Sequence, residues 1–136
     1  MGLIIGFLVL LWGFIRRSEE AKKIALGIFV VVGLVTIPIY LTGDPSEHAV
    51  MLLPGVSDHL IHEHDDSAGF ALAATSILAV ASLIGLWLCR GNNGLPSWSA
   101  NLILILAILN IAIMVRTANL GGQIRHTEIR SGNSAQ

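Results

Sequence analysis

The sequence predicts an all-α integral membrane protein, an antiparallel four-helix bundle with an acidic, histidine-rich loop on the outer side. Three observations predict it. The 136 residues are 54% hydrophobic and only 12% charged, whereas soluble domains carry about 25% charged residues. Uncharged apolar runs long enough to cross a bilayer occur three times, behind a shorter first one. Short polar turns separate them. The mean hydropathy of +0.74 agrees.

The first run, Gly2–Ile15, has 14 residues and would make a helix of about 21 Å. It has no basic lead-in and no small-residue cleavage site, so it does not read as a secretory signal peptide. It is short for a hydrocarbon core of about 30 Å. Three readings fit it, a helix that stops inside the bilayer, a helix shielded by its neighbours, or a start site placed too far downstream, and the third is the one adopted. Ile24–Leu41 and Trp98–Val115 are 18 residues each, and Ala68–Cys89 is 22. These match a bilayer in length and have no polar face, so all three are expected to span.

Punctuation sets the boundaries. Arg16, Arg17, Ser18, Glu19, Glu20, Lys22 and Lys23 form a charged turn. Thr42-Gly43-Asp44-Pro45 is expected to end the second helix and Gly121-Gly122 the fourth. Between the third and fourth lies Arg90-Gly91-Asn92-Asn93-Gly94-Leu95-Pro96-Ser97, with Ser97 an expected N-cap. Short turns imply antiparallel neighbours in left-handed packing. Residues 1–130 make one domain, and 131–136 are a polar tail.

Lysine and arginine orient the bundle. Five of the eight, Arg16, Arg17, Lys22, Lys23 and Arg90, lie in the first and third loops, and none in the 43–67 loop. The positive-inside rule therefore places both termini and the 43–67 loop in the periplasm of a bacterial inner membrane. Trp12, Trp87 and Trp98 fall near the opposite, cytoplasmic ends. The net charge of −1 gives no basic patch for nucleic acid. A single cysteine, Cys89, excludes an internal disulfide.

The chemistry-bearing residues gather on the outer side. All five histidines, His48, His59, His62, His64 and His126, lie there, with Asp44, Glu47, Asp58, Glu63, Asp65 and Asp66. Pro54-Gly55 signals a turn and Ser57 an N-cap, so a helix is expected to start here and run into the third span. On it His59 and Glu63, and His62 and Asp66, are four apart and share a face. Imidazole with carboxylate suits zinc, copper, iron or nickel, so His59, His62 and Glu63 are metal candidates. The same face also reads as a solvated acidic-histidine surface. His64 and His126, each near a span end on the same side, are candidates for a haem or pigment. Arg116, at the outer end of the fourth span, needs a partner. Asp65 and Asp66 are the expected ones, with Glu63 beside them. The cofactor itself is left open between haem, pigment and a transition metal.

Within the spans the polar groups are few: Thr75, Ser76 and Ser82 in the third, Asn101 and Asn110 in the fourth. They suit bonds across helices, and the pairs Gly2 with Gly6 and Ala81 with Gly85 suit close approach. No span holds a carboxylate, lysine or histidine, which argues against a proton-coupled transporter. No phosphate-binding loop or nucleophile–base pair is evident either.

Thr42-Gly43-Asp44-Pro45, Leu53-Pro54-Gly55-Val56-Ser57, Glu63-His64 and the closing Gly121-Gly122-Gln123-Ile124-Arg125-His126-Thr127-Glu128-Ile129-Arg130 resemble a widespread bacterial family of small four-helix membrane proteins of unknown function. The likeness spans nearly the whole chain. It implies the same four-helix fold and points to His64 and His126 as the histidines matching the family pattern. Members commonly open with a His-Phe-Pro segment ahead of the first span, and this chain begins inside that span.

Three function classes follow. The leading expectation is a non-catalytic accessory subunit of a larger membrane complex, of the electron-transfer or photosynthetic kind, with other membrane subunits and the lipid bilayer as partners. The alternative is an outer-side haem or metal carrier using His64 and His126. An enzyme is not expected, because no catalytic set can be named.

Overall fold

The computed structural model describes the backbone of residues 1–51, 58–90 and 94–125, and the side chains of 1–42, 66–90 and 94–119. The described residues form four helices and no strand: α1 (Gly2–Ile15), α2 (Glu19–Met51), α3 (Asp58–Leu88) and α4 (Ser97–Arg125).

α1 and α2 meet in a turn closed by local backbone hydrogen bonds. Ser18 N–H donates to the Gly13 carbonyl at 2.9 Å and Arg17 N–H to the Phe14 carbonyl at 3.3 Å, the paired bonds of a Schellman stop. Arg17 takes the left-handed conformation this stop requires, with φ of 51°. Ser18 then caps α2, its Oγ accepting from Ala21 N–H at 3.2 Å, and Glu19 and Glu20 occupy the first turn, where the helix dipole favours acids.

Contacts between helices fall in antiparallel register. Gly2 lies against Val32, Gly6 against Phe29 and Gly13 against Lys22, so one helix rises as the other falls. The same holds for α2 and α3, where Gly33 meets Ala79 and Gly85 meets Leu26. α3 and α4 follow suit, with Ser67 beside Thr117 and Thr75 beside Asn110. Each helix packs on its sequence neighbour, and α1 also touches α4. The result is an all-α antiparallel bundle, as the sequence predicts.

Three stretches are long and apolar enough to cross a membrane: Glu19–Thr42, Asp66–Leu88 and Ser97–Asn119. Their polarity is reversed relative to a soluble bundle. Thr75, Ser82 and Asn110 are fully buried, while Leu34, Ile39, Val80, Leu83, Ile105 and Val115 are exposed. Water would penalise that surface, whereas lipid solvates it. The chain is therefore a membrane protein. Its packed centre is Leu10, Leu26, Phe29, Leu78 and Ile103, with Ala25 and Ala107 where helices come close.

Two boundaries correct the sequence reading. Thr42-Gly43-Asp44-Pro45 does not end the second helix: α2 continues to Met51, and α3 begins at Asp58, so most of the 43–67 stretch is helical rather than loop. Thr42 Oγ1 donates to the Pro38 and Ile39 carbonyls at 2.9 and 3.1 Å, a use of the hydroxyl that a helix accommodates. Pro45 removes one amide donor, and the helix carries on past it. Gly121-Gly122 likewise lies within α4, which extends to Arg125. Glycine permits a stop without imposing one. The expected helix from Ser57 into the third span does form, as α3.

Close approach depends on glycine at one position above the others. A Cβ at Gly33 would overlap the Cβ of Ala79, so α2 and α3 touch there nearly backbone to backbone. Gly27, by contrast, has nothing within 4 Å of its added Cβ. Gly33→Leu should lower thermal stability in detergent by about 1–3 kcal/mol through overpacking. Gly27→Ala should be neutral or stabilising by up to about 1 kcal/mol through helix propensity. Parallel melts followed by circular dichroism check both, and equal effects at the two positions would contradict the packing assignment.

Candidate functional site

Polar contacts concentrate in three places along the bundle. At the charged end, Glu19 joins the first and third turns. Its Oε1 accepts from Lys22 Nζ at 2.7 Å, and its Oε2 accepts from the Leu95 backbone N–H at 2.7 Å. Gly94 lies directly against the carboxylate, with room for no larger residue unless Glu19 shifts. The Lys22 side chain is only 13% exposed and covers the Phe14 ring, its Nζ 5.3 Å from the centroid. One carboxylate thus satisfies an ammonium and an orphan amide just before α4, and pins two turns that are far apart in sequence.

At the centre, Thr75 and Asn110 bridge α3 and α4 with their oxygens 3.2 Å apart. The Thr75 hydroxyl has one proton, and its 2.7 Å bond to the Ala71 carbonyl takes it. The chemically consistent arrangement turns the Asn110 amide over, so that Nδ2 donates to Thr75 Oγ1. Either way one amide atom stays unpaired, as does Ser82 Oγ about two turns along the same face of α3 from Thr75. These groups can hold helices together. They are hydroxyls and an amide, with no carboxylate, amine or imidazole among them.

At the opposite end, Ser67 and Thr117 hydroxyls meet at 2.8 Å, and Thr117 Oγ1 also lies within reach of the Ser67 and Ile113 carbonyls. Beside them is an open cleft of about 440 Å³ lined by Asp66, Ser67, Phe70, Ile113 and Arg116. Asp66 and Arg116 therefore share one cleft, though no ion pair joins them among the described residues. The remaining sequence candidates lie beyond the described side chains. His59, His62, Glu63, His64 and Asp65 are on the first turns of α3, so the helical spacing assumed for them is present in the backbone, and their side chains fall outside the described set. His48 is on α2, also outside it, and His126 lies outside the described residues altogether. Among the described side chains no three histidine, cysteine, aspartate or glutamate residues converge as a metal site.

Sequence reasoning missed the Glu19 bridge. Its only visible sign is a glutamate at the first position of a helix after a serine cap, which reads as an ordinary first-turn acid.

A fourth feature is apolar. A notch of about 570 Å³ lies where the first turn of α1 meets α2 and α4, lined by Leu3, Ile4, Val35, Ile39, Ile111 and Met114 among others. Comparison with protein family models, with curated proteins and with solved structures found no match for this chain.

Glu19→Ala should destabilise the bundle by about 1–2 kcal/mol, because the Leu95 amide and Lys22 lose their acceptor together. Glu19→Gln, which keeps an acceptor oxygen, should cost less. Amide hydrogen exchange at Leu95 should accelerate in the alanine variant and only slightly in the glutamine variant. An unchanged rate in both would remove the bridge from the account.

Proposed function

We propose that this chain is a non-catalytic accessory subunit that docks through lipid-depth helix contacts into a larger membrane assembly. The observation supporting it is the apolar surface that α2 and α4 turn outward, with Leu34, Val35, Ile39, Ile105 and Val115 exposed among the described side chains. Its fitting occupant is an apolar transmembrane helix of another subunit, held by van der Waals packing against Val35, Ile39 and Met114. The interior agrees with a structural role. Its described polar groups are hydroxyls and amides, which bind helices to one another and transfer no protons at neutral pH. The electron-transfer or photosynthetic setting expected from the sequence belongs to this proposal.

Native membranes dissolved in a mild detergent test it. The tagged chain should migrate in a native gel in a species far heavier than its own 14.5 kDa. A photo-crosslinker at Val35 should capture a membrane protein, and Val35→Asn with Met114→Asn should release the chain while leaving its helical spectrum unchanged. A chain that migrates alone, with crosslinks only to lipid, overturns the proposal. A Soret band or stoichiometric metal in that isolated chain would move the assignment to the carrier reading through His64 and His126.

A further inference from the structure

The charged end carries five cations, Arg16, Arg17, Lys22, Lys23 and Arg90, against Glu19 and Glu20. Glu19 is already engaged by Lys22 and the Leu95 amide. Arg16 stacks over exposed Trp12, 5.6 Å from the ring centroid. Arg90 is exposed, just past the end of α3, and no acidic side chain pairs with it among the described residues. It is also the head of a groove. About 560 Å³ of open, mostly apolar space runs along Leu83, Ile84, Leu86 and Trp87 up to Arg90. A second trough of about 490 Å³ shares Ile84 as a wall and continues over Val80 to Ser76, between α3 and α4. From Arg90 to Ser76 the two together follow α3 for about 21 Å, somewhat more than one leaflet of a hydrocarbon core about 30 Å thick.

We propose that this groove is a binding site for one anionic phospholipid, with its phosphate on Arg90 and an acyl chain lying along Ile84 and Val80 toward Ser76. A guanidinium presents paired N–H donors that match a phosphate diester. The Trp87 indole, 68% exposed at the same level, adds an N–H donor and suits the headgroup boundary. The excess of positive charge around it selects a lipid with a net negative head over a zwitterionic one, whose own ammonium already offsets its phosphate. The contrast with the other end of the bundle supports the assignment. There Arg116 heads a cleft that also contains Asp66, and a carboxylate in the cleft repels phosphate. The inference is independent of any partner subunit, and of which side of the membrane the charged end faces.

The full chain, in a neutral detergent, is mixed with phosphatidylglycerol and phosphatidylcholine of identical acyl chains, and retained lipid is counted by native mass spectrometry. Phosphatidylglycerol should be retained severalfold over phosphatidylcholine. Arg90→Gln should reduce that preference about fivefold, the contribution of one arginine at a membrane surface, and Arg90→Lys should keep most of it. Arg116→Gln should leave it unchanged. Ile84→Trp, which fills the trough and keeps every charge, should lower retention of both lipids. Soluble glycerol phosphate, a head without chains, should not compete. Three results would overturn the proposal: Arg90→Gln with wild-type preference, an equal loss in Arg116→Gln, or full competition by glycerol phosphate. Circular dichroism of each variant verifies the fold, so a failure to bind reads on the site and not on misfolding.

Discussion

The contact of α2 with α3 at Gly33 and Ala79 is the constraint on which the rest of the bundle depends. Lipid tails are as apolar as leucine, so burying leucine between helices gains little by itself in a membrane. Cohesion must come from close packing and from polar bonds across helices. Where Gly33 lets two backbones approach, Leu26 and Phe29 of α2 join Leu78 of α3 in one core, and the Thr75 carbonyl lies beside Gly33. α3 is then placed so that Thr75 reaches Asn110 of α4. α1 follows from the other direction, its Gly6 seated on the Phe29 ring.

The two ends of the bundle are held by different means. At the charged end one carboxylate bridges successive turns, and the surrounding cations are in excess. At the other end two hydroxyls, Ser67 and Thr117, meet in the small gap between α3 and α4. Hydroxyls can sit at lipid depth with their bonds made helix to helix, whereas a charged bridge is better suited to the boundary, where water and headgroups screen it. The two exposed arginines also keep unequal company. Arg90 stands among cations at the head of an apolar groove, and Arg116 shares its cleft with Asp66.

Much of the fold was legible in the amino-acid order, and the errors have a common cause. α1 matches its predicted extent, Gly2–Ile15, and the three longer spans were recognised from uncharged runs. The turn signals misled where they stood outside the apolar segments. Thr42-Gly43-Asp44-Pro45 and Gly121-Gly122 both read as stops, yet α2 and α4 pass through them. Turn residues lower the cost of leaving a helix, but a long helix already anchored in a bundle can absorb one lost amide bond or two glycines. At Arg16-Arg17-Ser18 the stop is real, because paired backbone bonds and a serine cap act together there.

The sequence by itself determined the class of the protein: apolar length set three helices that can span, and the distribution of lysine and arginine set apart one charged end. Of the polar residues it singled out within the spans, Thr75, Ser82 and Asn110 lie buried among the helices, whereas Asn101 is exposed and Ser76 bonds the Leu72 carbonyl of its own helix. The sequence did not disclose their partners. Thr75 with Asn110, Ser67 with Thr117, and Glu19 with the Leu95 amide are separated by 35, 50 and 76 residues. Helical periodicity reports neighbours three and four positions away and carries no information across turns. Only the tertiary structure decided that Glu19 leaves its own helix to hold the turn before α4, that Gly33 rather than Gly27 faces a neighbour, and that an apolar groove rises to Arg90. Each depends on the rotation of one helix about its axis relative to the next, which packing sets and composition does not.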